Sequence, residues 1–134
     1  IISPTLLSRK FINTYADNIK LLINIGSGAA NSPISSWSTY CATKSALDML
    51  IQVIAEEKHK NLQVFSIHPG VVDTNMQKEI RKSDSEFFPL HHKFMDYYAN
   101  QELFSVKSVV FRILQIIAKK NDFDEIILNL RDFK

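Results

Sequence analysis

The chain has 134 residues, of which 46% are hydrophobic and 22% are charged, and its formal net charge is +2. This profile is typical of one globular unit with one core, and the scattered lysines form no basic stripe of the kind that binds nucleic acid. The single cysteine, Cys41, excludes an internal disulfide, and no Cys/His set has zinc-ligand spacing.

Membrane and export signals are missing from the pattern. No apolar stretch approaches the ~20 residues that a membrane helix needs, and the first residues lack the charged region of a signal peptide. We therefore expect a cytoplasmic protein with no membrane partner and no metal.

The first predicted element is an amphipathic helix that runs to about Asn18. Its apolar residues recur at near-helical spacing: Ile2, Leu6, Leu7, Phe11, Ile12 and Tyr15. The chain has no initiating Met, and its first residues already have the pattern of a helix interior, so we expect further sequence upstream.

The next three elements alternate between strand and helix. Residues 21–25 form a short apolar run that ends at Gly26, which is typical of a buried strand. A long helix is predicted to start near Ser36 or Ser38, where a serine can cap the free amides, and to run toward Glu57. Residues 61–67 then predict a second buried strand, which Pro69-Gly70 ends.

The remainder is less regular at first. Residues 77–104 combine a charged start with many aromatic residues, and we predict a mobile lid there. Asp73, which precedes this segment, is a candidate N-cap for a following helix. A helix over 106–119 and a strand over 126–130 follow. Strands that alternate with helices at this spacing predict an α/β fold with a parallel sheet, whose sites gather beyond the carboxyl ends of the strands.

Tyr40 and Lys44 are the first candidates for chemistry. They are four residues apart, so a helix stacks the phenol and the ammonium on one face. A neighbouring ammonium favours a phenolate, which lets the pair exchange a proton. The alternative is a solvated pair on a helix surface, because chance supplies many Tyr-x-x-x-Lys pairs.

Two further segments converge on this pair. Ser27 follows the first predicted strand, and Pro69 to Thr74 follow the second. Since the carboxyl ends of parallel strands meet at one edge, we expect these residues to lie around one crevice with Tyr40. The hydroxyl of Ser27 could hold a carbonyl oxygen there.

The order and spacing of these motifs resemble a known family. Residues 23–30 (INIGSGAA), Tyr40-x-x-x-Lys44 and residues 68–74 (HPGVVDT) are similar to the second half of a short-chain dehydrogenase/reductase, most of all the branch that holds sepiapterin reductase and the benzil reductases. The resemblance implies a Rossmann-like, doubly wound parallel sheet. Residues 1–134 would be the C-terminal half of that single domain, without its N-terminal dinucleotide-binding half, and would not turn over substrate alone.

The resemblance also implies a role for each matching residue. Tyr40 would be the general acid that protonates a substrate carbonyl, Lys44 would assist it and bind the nicotinamide ribose, and Ser27 would orient the carbonyl. The cofactor would be held by Tyr40, Lys44, Pro69, Gly70, Val72 and Thr74. NADP(H) is favoured over NAD(H), and the implied partners are a small carbonyl substrate and a second copy of the chain in a homodimer or homotetramer.

Several alternatives stay open at this stage. Trp37 either lines a substrate pocket or packs in the core, and Phe88 belongs to an aromatic stretch that forms either a lid over an aryl substrate or ordinary helix packing. Asp132 is a candidate for a substrate-anchoring aspartate near the C-terminus. The rival to a reductase that uses a tyrosine acid is a non-catalytic NAD(P)-binding or scaffold protein on the same fold.

Overall fold

The computed structural model describes residues 1–14 and 17–133. Within these residues three strands alternate with five α-helices. In chain order the elements are α1 (Ile2–Thr14), β1 (Lys20–Ile25), α2 (Ser38–Glu56), β2 (Leu62–His68), α3 (Asn75–Lys82), α4 (His91–Ala99), α5 (Val106–Ala118) and β3 (Ile127–Asn129). Short 3-10 turns cover Gly28–Ala30 and Lys120–Asp122.

The three strands form one parallel sheet in the order β1-β2-β3. Lys20 pairs with Leu62 at the start of β1 and β2, and Ile25 pairs with Ile67 at their carboxyl ends. Parallel neighbours need a crossover connection, and α2 and α5 lie in the two crossovers. The predicted α/β fold with a parallel sheet is therefore confirmed.

Apolar cores pack against both faces of the sheet because successive strand residues point to opposite sides. Phe65 and Ile67 of β2 pack with residues of α5 in one cluster, whereas Val64 packs with residues of α2 in the other. The first cluster contains Phe65, Ile67, Val109, Ile116, Leu128 and Leu130; the second contains Ile12, Ile51, Ile54 and Val64. The sheet is thus covered by helices on both faces.

The face of the sheet that meets α2 changes from apolar to polar along the strands. On β2 the row that begins with Val64 continues through Ser66 to His68, and both polar side chains are buried. On β1 the corresponding row passes from Leu22 to Asn24, whose side chain bonds to Ser66. This polar end of the row lies at the carboxyl edge, where the candidate site lies.

The first helix is shorter than the sequence predicts. Among the described residues α1 ends at Thr14, and Asn18 lies in a bend that leads to β1, so the prediction of a helix to about Asn18 was wrong. The buried ammonium of Lys20 donates a hydrogen bond of 3.0 Å to the carbonyl of Ile12. The last carbonyls of a helix lack intrahelical partners, and a cation satisfies one here. Tyr15 lies outside the described residues.

The expected serine cap of α2 was also wrong. Ser38 is the first helical residue, and the N-cap is Trp37, whose side chain makes no capping hydrogen bond. Ser36 instead donates its hydroxyl to the carbonyl of Phe87, at 3.0 Å. Ser36 has a φ of +68°, a conformation that places it outside the helix and in contact with the later segment.

The segment predicted as irregular contains two helices, α3 and α4, which pack against each other. Each helix has fewer than ten residues, too few for a clear apolar period. Thr74, not Asp73, is the N-cap of α3: its hydroxyl oxygen accepts the N–H of Gln77 at 3.5 Å. The N–H of Asp73 donates to the carbonyl of Phe104.

The start of α5 provides a test of local stability. The hydroxyl oxygen of Ser105 accepts the N–H of Ser108 at 3.1 Å and caps the helix. We expect Ser105→Ala to lower the free energy of unfolding by about 1 kcal/mol, and Ser105→Asp to retain it, because aspartate caps equally well. Urea denaturation of both variants measures this; equal stability of all three proteins would contradict the cap.

Candidate active site

The candidate site lies at the carboxyl edge of the sheet. Ser27 lies two residues after the end of β1, in extended conformation with a φ of −161°. Its hydroxyl oxygen accepts the N–H of Ala29 at 3.2 Å, and it caps the short 3-10 turn there. Since the oxygen is the acceptor in this bond, the hydroxyl hydrogen remains available to a ligand.

Tyr40 and Lys44 lie one turn apart near the start of α2, as predicted. The ammonium nitrogen of Lys44 lies 5.8 Å from the centroid of the Tyr40 ring and donates a hydrogen bond of 2.9 Å to the carbonyl of Ile25. Ile25 ends β1, two residues before Ser27. The structure therefore brings the tyrosine, the lysine and the serine loop to one place, and it ties the lysine to a strand.

The segment after β2 is held by its backbone. The carbonyl of Val71 accepts the N–H of Phe104, and the N–H of Asp73 donates to the carbonyl of Phe104, which makes a single parallel bridge between Val72 and Phe104. The N–H and the carbonyl of Val72 itself take no part in these two bonds. Gly70 has a φ of +80°, and a Cβ there would lie 2.9 Å from the Phe104 ring. Both the conformation and the close approach require glycine at this turn.

A cluster of aromatic side chains packs beside the phenol of Tyr40. Trp37 packs edge-on against Tyr40 at a centroid distance of 5.3 Å and stacks on Phe88 at 5.4 Å with an interplanar angle of 4°. Phe94 contacts both Trp37 and Phe88. These contacts join the predicted lid segment to the start of α2.

A cavity of about 320 Å³ opens next to Tyr40. Its lining residues are Ser36, Trp37, Ser38, Thr39, Tyr40, Met76 and Ile80. Trp37 was predicted from the sequence, whereas Met76 and Ile80 were not, although their spacing of four residues shortly after Thr74 was a usable signal. Phe88 is buried and does not line the cavity, but it stacks on Trp37, which does.

The remaining candidate for substrate binding is Asp132. Asp132 is exposed in the turn after β3, where its N–H donates to the carbonyl of Asn129. Within the described ranges no hydrogen bond or ring contact joins Asp132 to Tyr40.

Residues 1–14 and 17–133 hold no group of three or more His, Cys, Asp or Glu side chains that could bind a metal ion. In the same part of the chain, no helix has both the length and the apolar character needed to cross a bilayer.

This fold and these motifs define a class of protein. The sequence model of the family described as short chain dehydrogenase matches residues 2–85, and the chain belongs to that family. The parallel sheet with its helices is Rossmann-like.

Particular relatives narrow the comparison. The chain is 39% identical over 95 residues to the Bacillus subtilis benzil reductase ((S)-benzoin forming), which covers 67% of this chain and 38% of the relative. It is 43% identical over 67 residues to sepiapterin reductase from Rattus norvegicus, which covers 50% of this chain and 25% of the relative. The chain thus spans well under half the length of both relatives.

Solved structures agree on the fold. The crystal structure of the KRED1-Pglu enzyme superposes with a TM-score of 0.79 at 26% identity, covering 87% of this chain and 49% of that one. A short chain dehydrogenase/reductase from Saccharomyces cerevisiae superposes with a TM-score of 0.74 at 23% identity, covering 96% of this chain and 53% of that one.

Proposed function

We propose that this chain carries the catalytic half of an NAD(P)H-dependent carbonyl reductase that acts on a ketone or a vicinal dicarbonyl compound. The observation that carries the proposal is the anchoring of Lys44 beside Tyr40 at the end of β1, next to Ser27. The relatives named benzil reductase and sepiapterin reductase support a substrate of this class.

The proposed reaction adds a hydride to the carbonyl carbon and a proton to its oxygen. NAD(P)H supplies the hydride when bound. Tyr40 gives its phenolic proton to the oxygen, and the ammonium of Lys44 stabilises the phenolate that remains. Ser27 donates its free hydroxyl hydrogen to the same oxygen and orients it. The product is an alcohol, and solvent returns a proton to Tyr40.

The donor set fits the nicotinamide end of the cofactor. Lys44 and Tyr40 offer hydrogen-bond donors to a ribose, and the backbone N–H and carbonyl of Val72, which the bridge to Phe104 leaves out, can pair with a carboxamide. Pro69 and Gly70 would allow the main chain to approach, and Thr74 offers a hydroxyl at the start of α3. The preference for NADP(H) over NAD(H) rests on the family resemblance.

The cavity beside Tyr40 supports a flat, largely apolar substrate. Trp37, Met76 and Ile80 supply apolar and aromatic surface, while the phenol stands at its edge. Trp37 keeps its substrate role in this proposal, and Phe88 takes the supporting role of fixing the indole. Asp132 stays a prediction with no contact that supports it.

The proposal extends to the whole protein. A preceding segment would supply the phosphate-binding half of the domain, in keeping with the 38% of the Bacillus relative that this chain spans. We further propose a cytoplasmic homodimer or homotetramer. These features rest on the family resemblance.

The test is an assay of the full-length protein with NADPH and NADH against benzil, sepiapterin and a panel of simple ketones. We expect oxidation of NADPH that depends on a dicarbonyl or pterin substrate, with the alcohol as product. Cofactor binding without oxidation across the whole panel would contradict the proposal and favour the non-catalytic alternative.

A further inference from the structure

A buried polar network lies beneath the candidate site. Nε2 of His68 lies 2.7 Å from Oδ2 of Asp48, and the hydroxyl of Ser66 donates to Oδ1 of Asp48 at 2.5 Å. The amide of Asn24 donates to the hydroxyl oxygen of Ser66 at 2.8 Å. The exposed fractions of Asp48, Ser66 and His68 are 3%, 0% and 4%, so these three side chains are almost fully buried, whereas Asn24 is half-buried.

Such a network is costly to bury. A carboxylate pays a large desolvation penalty, and apolar residues of similar volume often serve a core equally well. The oxygens of a carboxylate only accept hydrogen bonds, so His68 carries a proton on Nε2 and donates to Asp48. Both carboxylate oxygens are thereby satisfied. An arrangement of this kind fixes one geometry more strictly than apolar packing does, because hydrogen bonds are directional.

The network attaches α2 to the sheet one turn below the candidate catalytic pair. Asp48 follows Lys44 by four residues, so the two side chains lie on the same face of α2. Lys44 bonds to the end of β1 through Ile25, and Asp48 bonds to β2 through Ser66 and His68. Two successive turns of α2 are therefore hydrogen-bonded to two strands. These bonds fix the rotation of the helix about its axis and its position along that axis.

The same imidazole supports the serine loop. A Cβ at Gly26 would lie 2.6 Å from Cδ2 of His68 and 2.7 Å from Oγ of Ser66, so both side chains pack directly on the main chain of Gly26. Gly26 is the residue before Ser27. His68 thus contacts the backbone that carries the serine and the carboxylate that holds α2.

We propose that Asp48 and His68 are positioning residues that hold Ser27, Tyr40 and Lys44 in register for carbonyl reduction. This inference rests on the proposed function. His68 joins the serine loop to the helix of the proton donor, and Asp48 holds the imidazole in place. Misplacement of a reacting group by about 1 Å costs on the order of 100-fold in rate, so loss of the His68–Asp48 bond is expected to lower kcat.

The experiment compares two substitutions of His68 in the full-length protein. The amide nitrogen of a glutamine reaches the position of Nε2 and can donate to Asp48, whereas leucine cannot. We expect His68→Leu to lower kcat about 10- to 100-fold with the Kd for NADPH unchanged, and His68→Gln to restore kcat to within about threefold. Glu56→Gln, a neutralised carboxylate exposed at the far end of α2, is the control and is expected to leave kcat unchanged.

Each outcome decides the matter. An unchanged kcat in His68→Leu would overturn the proposal. A parallel loss of kcat, NADPH affinity and thermal stability in both variants would also overturn it, because such a loss indicates a purely structural role. If His68→Leu does not fold, His68→Asn takes its place, because its shorter amide does not reach Asp48. Tyr40→Phe is assayed in parallel: full activity of that variant refutes the proposed reaction itself, whereas loss there with no effect at His68 refutes only the positioning role.

Discussion

Replacement of Tyr40 by phenylalanine in the full-length protein is expected to lower kcat for carbonyl reduction by about 10²- to 10⁴-fold. The substitution keeps the ring and its edge-on contact with Trp37, at 5.3 Å, and removes only the hydroxyl. Lys44 keeps its bond to Ile25, so the cofactor loses only the one proposed hydrogen bond from the Tyr40 hydroxyl to its ribose. The loss should therefore fall mainly on kcat, with the Kd for NADPH raised by no more than about tenfold, the worth of one hydrogen bond.

The control is Tyr98→Phe. Tyr98 is an exposed tyrosine on α4 whose ring lies under the guanidinium of Arg81 at 4.0 Å, so this variant also loses one phenolic hydroxyl but outside the candidate site. Steady-state kinetics with a dicarbonyl substrate and fluorescence titration with NADPH separate the two effects. Equal turnover of Tyr40→Phe and the parent would refute Tyr40 as the proton donor.

The long strands and helices could be predicted from the sequence, and so could the edge of the sheet at which the candidate residues meet. The apolar runs 21–25 and 61–67 have strand length and lack a helical period, and α2 between them is long enough to show one. Parallel strands place their carboxyl ends together, so the convergence of Ser27 and Pro69 followed from the strand order alone. The bond between Lys44 and the end of β1 agrees with that expectation.

The short helices could not be predicted in the same way. The helices α3 and α4 span 8 and 9 residues, about two turns each. Phe94 of α4 packs on Trp37, and Met76 and Ile80 of α3 line the cavity together with Trp37. A pattern within one segment does not reveal contacts that another segment supplies. The missed cap of α2 has a related cause: the hydroxyl of Ser36 bonds to the carbonyl of Phe87 in a later segment, and Ser38 is already the first helical residue.

The buried network was hidden for a related reason. Asn24, Asp48, Ser66 and His68 come from two strands and a helix, and no local spacing connects them. The two-residue period of β2 does place Ser66 and His68 on the face of Val64, and two polar residues in a buried row were the signal. The hydrogen-bond partner of these two residues on α2 remained to be identified, and it is Asp48, four positions after Lys44.

Gly26→Ala is expected to destabilise the protein by about 1–3 kcal/mol, which is the usual cost of overpacking a filled interior. The new methyl group would lie 2.6–2.8 Å from atoms of His68 and Ser66, closer than van der Waals contact allows. Gly28→Ala is the matched control, since a Cβ at Gly28 meets nothing within 4 Å. Urea denaturation should leave this control within about 0.5 kcal/mol of the parent. Equal stability of the two variants would contradict the packing of His68 on Gly26.

A double-mutant cycle identifies the imidazole as the cause. The clash needs both the methyl group and the ring, so Gly26→Ala should cost less when His68 is already alanine. The unpaired carboxylate of Asp48 is present in both members of that pair and cancels. A coupling of about 1 kcal/mol is expected for two residues in direct contact, and a coupling near zero would assign the strain to Ser66 alone. Gly26 precedes Ser27. Measurement of kcat for the same four proteins therefore shows whether the steric clash at Gly26 also displaces the Ser27 hydroxyl, which is proposed to orient the carbonyl.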